Sequence, residues 1–171
     1  MFRALFAALT AGPKRGQALF KLAVAEARRR DWFVEGQVPD TVNGRFAVLA
    51  TIVALLSIQL EAEGPEGARA TVDLTERMVE SLDAELREMG LGDPTLGKQV
   101  RSLVGAVGGR VERWRKLIPS DSSWSGEVRR SLYLDEPVGP DALGYSESAL
   151  KALWQRLAET DLAELCDGTM R

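Results

Sequence analysis

The stretch at positions 92–99, GDPTLGKQ, comes close to the phosphate-binding loop of nucleotide-binding proteins, whose pattern is G-x-x-x-x-G-K-[ST]. Three of the four fixed positions match, but Gln99 replaces the hydroxyl that would hold magnesium. A phosphate loop follows a strand, whereas an amphipathic helical pattern precedes this one. Pro94 removes an amide donor, and Asp93 would repel phosphates. The stretch therefore predicts a corner between two helices and not a nucleotide site.

Side chains that could do chemistry are scarce in this sequence. The chain has no histidine and a single cysteine, Cys166. These counts exclude a Ser-His-Asp triad, histidine-held zinc or haem, and an internal disulfide. Paired carboxylates would still allow catalysis, but only with strongly raised pKa values in a cleft. We therefore expect a protein that is not an enzyme and holds no cofactor or metal.

Charge is unevenly distributed along the chain. The 171 residues are 45% hydrophobic and 27% charged, which is an ordinary balance for one globular domain covering residues 1–171. The net charge of −3 is too small to indicate DNA binding. Residues 1–30 hold seven basic residues and one acidic residue, so the remainder holds 15 basic and 24 acidic residues, a net charge of −9. This basic segment indicates an anionic contact, either a lipid surface or RNA.

The basic N-terminal segment, residues 1–30, is also amphipathic. Apolar groups at positions 5–9 and 19–24 alternate with basic residues and predict two short helices. One interpretation is that they dock on the core; the other is that they anchor the protein to a membrane surface. The segment lacks a convincing signal cleavage site. It is arginine-bearing and acid-poor like a mitochondrial transit peptide, but it has no serine.

Helical periodicity recurs along the chain and predicts an all-α fold, a single compact domain of about six to seven helices. The run Phe46–Leu60 has 15 residues and no charge. It is shorter than the roughly 20 apolar residues of a membrane span, so it predicts a central helix buried on nearly all sides. Thr41 or Asn43 is the expected N-cap of this helix.

Two further helices are expected on either side of the glycine-rich corner. The first ends at Gly90 and has one apolar stripe, formed by Leu74, Met78, Leu82, Leu86 and Met89. The second begins with Asp93 as N-cap and Pro94 at the first helical position. It contains Gly105, Gly108 and Gly109, each of which weakens a helix by about 1 kcal/mol. Their grouping predicts that another helix crosses very close.

Two blocks of the sequence carry a recognisable pattern, Leu82–Arg110 and Val38–Phe46. They resemble the signature of the ubiquinol–cytochrome c chaperone family, the assembly factors for cytochrome b. LDAELREMGLGDPTLGKQVRSLVGAVGGR, Leu82–Arg110, is similar to a D-x-x-L-R-E-M-G-[VL]-G-D turn followed by G-K and G-R pairs. VPDTVNGRF, Val38–Phe46, is similar to a P-D-T-x-x-G-R-F entry into the second helix. RRSLY, Arg129–Tyr133, is a weaker match. The chain departs from the family at the histidine that often follows G-R-F, and at Val107-Gly108 in place of an aromatic pair.

The resemblance implies an all-helical, non-catalytic chaperone that binds newly made cytochrome b at the membrane surface. The lack of a clear transit peptide favours the bacterial cytoplasm, with the protein at the inner face of the inner membrane; the matrix side of the mitochondrial inner membrane is the alternative. Contact with a ribosome stays open. A different class of function also fits the apolar inventory: a helical carrier with an apolar pocket for a lipid, quinone or isoprenoid.

The charged residues of the two blocks are the candidate partner-binding residues. If they converge, they form a mixed-charge rim that orients a partner while apolar surface supplies affinity. For Arg45 and Arg87, an ion pair inside the domain is equally open, whereas Lys98 and Arg110 favour partner contact. Four aromatic residues are expected to line the core or a groove: Trp32, Phe33, Trp114 and Trp124. The candidate set is Asp40, Arg45, Arg87, Glu88, Asp93, Lys98 and Arg110.

Overall fold

The computed structural model describes residues 14–90, 92–120 and 122–170, without the side chains of Asp93 and Pro94. Within these ranges the chain forms helices and no strand, so the predicted all-α fold is confirmed. Six helices have two or more turns, and two have a single turn. In chain order they are α1 (Gln17–Ala27), α2 (Asp31–Val34), α3 (Val42–Ala62), α4 (Gly64–Glu88), α5 (Asp93–Leu117), α6 (Ser125–Tyr133), α7 (Pro140–Glu159) and α8 (Leu162–Cys166).

Helix α3 is the central helix that the apolar run predicts. Thr41 caps it, accepting a hydrogen bond from the Gly44 amide at 3.2 Å. By length and composition alone α3 could cross a membrane, because the helix extends beyond the apolar run at both ends. Twelve of its 21 residues are nevertheless buried, and α1, α4, α5, α6 and α7 pack around it. Most of its apolar surface is therefore covered by the other helices of the protein.

Helices α3 and α4 form a tight antiparallel hairpin. Only Glu63 separates them, and Gly64 begins α4 with a φ of 77°, which favours glycine. A Cβ on Gly67 would lie 1.7 Å from the carbonyl oxygen of Leu60. No side chain fits at that position, so Gly67 permits the first turn of α4 to approach the last turn of α3.

The apolar stripe of α4 is confirmed over four of its five predicted positions. Leu74, Met78, Leu82 and Leu86 are buried. Met89 is not part of the stripe: it follows the last helical residue and is 63% exposed. The start of α5 also differs by one residue, because Gly92 is the N-cap and Asp93 is already helical.

The glycines of α5 do not mark a close helix crossing, so that prediction is wrong. A Cβ on Gly105 or Gly108 would meet nothing within 4 Å, and both residues are exposed. Beside Gly109 the nearest atom is the end of the flexible Arg113 side chain, at 3.2 Å. The three glycines lie on the side of α5 that is away from its neighbours. Their spacing along the sequence does not indicate on which side of the helix they lie.

The described part of the N-terminal segment docks on the core. Leu19, Ala23 and Ala27 form the buried side of α1, which packs against α3 and α4. The carboxylate of Glu26 accepts a hydrogen bond from Arg156 of α7 at 2.9 Å. The first of the two predicted amphipathic helices falls at positions 5–9, outside the described residues.

The same substitution is expected to have opposite effects at two glycines. Gly67→Ala forces a Cβ into the Leu60 carbonyl and should lower the free energy of unfolding by more than about 2 kcal/mol. Gly105→Ala adds a methyl group in open space and removes backbone freedom from the unfolded chain. It should raise the free energy of unfolding by about 0.5–1 kcal/mol. Urea denaturation followed by circular dichroism measures both. Stabilisation by Gly67→Ala would contradict the packing described for the α3–α4 hairpin.

Candidate functional site

The block Val38–Phe46 builds the entry into α3. Pro39 turns the chain so closely over the helix start that its carbonyl oxygen lies 1.9 Å from where a Cβ of Gly44 would be. Arg45 donates from Nε to Oδ1 of Asp40 at 2.6 Å, and both side chains are exposed. This hydrogen bond is the main reason why the pKa of Asp40 lies below its ordinary value. The pair thus presents an oriented acid and base at the surface.

The block Leu82–Arg110 begins at the end of α4. Arg87 donates from Nε to Oδ2 of Asp83 at 2.8 Å, one turn earlier in the same helix. Glu88 is exposed, and Gly90 turns the chain with a φ of 84°. Lys98 is exposed on the second turn of α5. Asp93 is the first residue of α5, and its side chain lies outside the described part of the structure.

The fold brings most of the candidate residues to one end of the helical bundle. The α3–α4 hairpin places the start of α3 level with the end of α4, and α5 begins there and runs back along α3. We call this end the turn end, and define it by seven residues. They are Asp40, Val42, Arg45, Arg87, Glu88, Met89 and Lys98.

Two of these residues, Val42 and Met89, are not predicted from the sequence as functional. Val42 is 70% exposed and Met89 is 63% exposed, so the turn end carries apolar as well as charged side chains. The sequence pattern assigns Met89 to the buried stripe, and Val42 lies just before the apolar run. The available signal was their position next to helix ends, where the periodicity of burial stops.

Arg110 lies apart from the turn end, in the interior. Twelve residues along α5 separate it from Lys98, which is about 18 Å at the helical rise. The residue is 5% exposed. Its guanidinium donates to Thr51 Oγ1 in α3 at 3.3 Å, to the Ala106 carbonyl in α5 at 3.0 Å and to the Ser131 carbonyl in α6 at 2.8 Å. Arg110 therefore ties three helices together, and a partner could reach it only if they separated.

The electrostatics around Arg110 suit a buried cation. The Ser131 carbonyl belongs to the last turn of α6, where carbonyls lack intrahelical donors and the helix dipole favours positive charge. Burial lowers the pKa of the Arg110 guanidinium from its ordinary value, and the charge of Arg113 acts in the same direction. Glu127 opposes both. This carboxylate also accepts hydrogen bonds from Arg113 Nε and from Ser131 Oγ, at 2.9 and 2.6 Å.

The aromatic residues are confirmed mainly as core. Trp32, Trp114 and Trp124 are buried, and Phe33 packs against the core from its edge. The rings of Trp114 and Trp124 meet edge to face, with centroids 4.9 Å apart. Trp114 Nε1 donates to Ser131 Oγ at 3.1 Å, so this ring belongs to the same α5–α6 contact as Arg110.

Two recesses bear on the carrier alternative. The void between α1, α3 and α7, beside Leu22, Ile52 and Leu153, has no room for a water molecule. The other recess is an open groove of about 580 Å³ on the outer face of α4, which we call the α4 groove. It is lined by Thr71, Val72, Thr75, Glu76, Arg77, Val79 and Glu80. Within the described part of the chain, neither recess is an enclosed cavity large enough for a lipid or quinone.

Arg110→Gln should lower the free energy of unfolding by about 3 kcal/mol, because it leaves the Ser131 carbonyl buried without its donor and removes the tie to Thr51. Lys98→Gln is the matched control. It changes the same charge on the same helix but at an exposed position, so its effect should stay within about 0.5 kcal/mol. Denaturant titration of both variants tests this. Equal effects would show that Arg110 is not a structural tie.

Comparison with known proteins places the fold and both sequence blocks in one family. The family model described as Ubiquinol-cytochrome C chaperone matches residues 34–171. Among solved structures, the crystal structure of the Cbp3 homolog from Brucella abortus is similar, with a TM-score of 0.75 and 22% sequence identity over 91% of this chain and 88% of that one. At that identity the likeness shows the fold. No curated protein matches the sequence significantly. The family match covers most of the chain, and the chain belongs to the ubiquinol–cytochrome c chaperone family.

Proposed function

We propose that this chaperone binds newly made cytochrome b at a membrane surface, through the turn end, during assembly of the ubiquinol–cytochrome c reductase. Its family consists of chaperones and not of enzymes, which confirms the expectation of no catalytic activity. The observation that carries the proposal is the gathering of both family blocks at one end of the bundle. There they present exposed charges next to exposed Val42 and Met89.

The composition of the turn end suits a client that is apolar and incompletely folded. Apolar side chains supply affinity by leaving water, and a methionine adapts to irregular surfaces because its chain is unbranched and flexible. The surrounding charges orient the client and disfavour wrong partners. Arg45 and Arg87 are each held by a neighbouring carboxylate, so their guanidinium groups are positioned before a partner arrives.

Membrane association is the second part of the proposal. Helix α1 uses its apolar side for the core, so its own contribution to a membrane contact is electrostatic. All six basic residues between positions 14 and 30 are exposed, and such clusters are attracted to anionic lipid headgroups. We place the protein at the inner face of the bacterial inner membrane, with the mitochondrial matrix side as the alternative. A ribosome would be a further anionic partner for the same residues.

The test is capture of the client. Tagged protein is cross-linked in native membranes of a source organism, purified, and its partners are identified by mass spectrometry. The double variant Arg87→Ala with Lys98→Ala should recover about tenfold less cytochrome b than the wild type, equivalent to about 1.4 kcal/mol of binding free energy. The loss is expected because two exposed cations of the turn end are gone.

The matched control is Arg69→Ala with Arg129→Ala, which removes the same charge from exposed positions on α4 and α6 outside the turn end. It should capture cytochrome b as the wild type does. Equal capture by all three proteins would keep the function and remove the turn end as its site. Recovery of a lipid or quinone without cytochrome b would contradict the chaperone proposal and favour the carrier.

A further inference from the structure

The α4 groove is an open surface with a defined polarity. Its lining residues recur at helical spacing on one face of α4, distinct from the face that buries Leu74 and Met78. Val72, which is 57% exposed, and Val79 provide the apolar surface. Glu76 and Glu80 both pair with Arg77, and because the two carboxylates outnumber this one cation the lining has a net negative charge. An occupant that fits is therefore apolar and carries positive charge without acids.

The first described residue of the chain, Lys14, lies at the edge of this groove. Lys14 donates from Nζ to Oε2 of Glu80 at 3.2 Å, so the first described residue already touches the rim. Two residues later Gly16 lies flat against α4: a Cβ there would be 2.7 Å from the carbonyl carbon of Asp73. These two contacts place the start of the described chain beside the α4 groove.

The residues before Lys14 have the required composition. Positions 1–13 read MFRALFAALTAGP, with four large apolar residues beyond Met1, one cation, Arg3, and no acid. Their length is sufficient. Even at the helical rise of about 1.5 Å per residue, thirteen residues cover more than the roughly 14 Å between Thr71 and Glu80 on α4.

The groove also holds a polar group that lacks a partner. Among the described residues, Arg77 Nε is a buried nitrogen without a hydrogen-bond acceptor. The other end of the same guanidinium donates to Glu80 at 2.8 Å. A buried donor without an acceptor is costly, so an occupant that offers a carbonyl oxygen at this point would be favoured.

From these observations we propose that residues 1–13 dock in the α4 groove of the same molecule. The apolar side chains of the segment cover Val72 and Val79, its positive charge faces Glu76 and Glu80, and its backbone supplies an acceptor to Arg77. The proposal goes beyond the client-binding function and does not rest on it. It assigns the apolar N-terminal residues to an intramolecular contact in the protein free of membrane.

Paramagnetic relaxation in the full-length chain tests this docking. A nitroxide is attached at Ala4→Cys in a Cys166→Ser background, which removes the exposed native thiol. The methyl signals of Val72 and Val79 should lose most of their intensity. Those of Val128, buried in α6, serve as the reference because α6 makes no extensive contact with α4. Intensities of Val72 and Val79 that match the Val128 reference would overturn the proposal.

Two further samples separate the possible occupants. Phe6→Ser with Leu9→Ser in the nitroxide-bearing chain keeps the probe and removes apolar contact, so the Val72 and Val79 signals should recover. In a mixture of isotope-labelled chain without nitroxide and unlabelled chain with nitroxide, those signals should stay sharp. Broadening of those signals in the mixture as well would mean that the segment of a second copy fills the groove, which would overturn docking within one molecule.

Discussion

A helix that is apolar on nearly every side must be covered on every side, and the architecture follows from this requirement of α3. Helices α1, α4, α5, α6 and α7 each turn their apolar side towards it. Each Å² of apolar surface buried stabilises the fold by about 25 cal/mol, so covering α3 contributes more to stability than any single polar contact between these helices. Charged residues are consequently pushed to the bundle ends and outer faces, and the turn end is where the family blocks meet.

Apolar packing alone would leave the angles between these helices loosely specified. Arg110 fixes them through hydrogen bonds, which are directional. Its guanidinium reaches α3 through Thr51 and closes the carboxyl end of α6 through the Ser131 carbonyl. Trp114 and Glu127 join the same contact by binding the Ser131 hydroxyl. A fork of donors in fixed geometry is satisfied only in one arrangement of the three helices. The G-R pair of the family signature therefore has a structural reason in this chain.

Sequence reasoning reached those features that depend on local order along the chain. The apolar run predicted α3, Thr41 was one of two expected caps, and periodicity placed Leu74, Met78, Leu82 and Leu86 in the core. It failed where a residue's burial depends on which side of a helix faces away from the neighbouring helices. Gly105 and Gly108 face open space, and Met89 lies one position beyond the end of α4. The inward course of Arg110 likewise depends on Thr51 and Ser131, which are distant in sequence.

The α3–α4 hairpin also determines the order of events while the chain is being made. A segment as apolar as α3 presents a membrane-insertion signal until something covers it. Only Glu63 separates it from α4, and Gly67 lets the two helices close directly over that junction. Contacts between residues so close in sequence form faster than contacts between distant segments of the chain. The glycines of the hairpin thus favour burial of α3 over its insertion into a lipid bilayer.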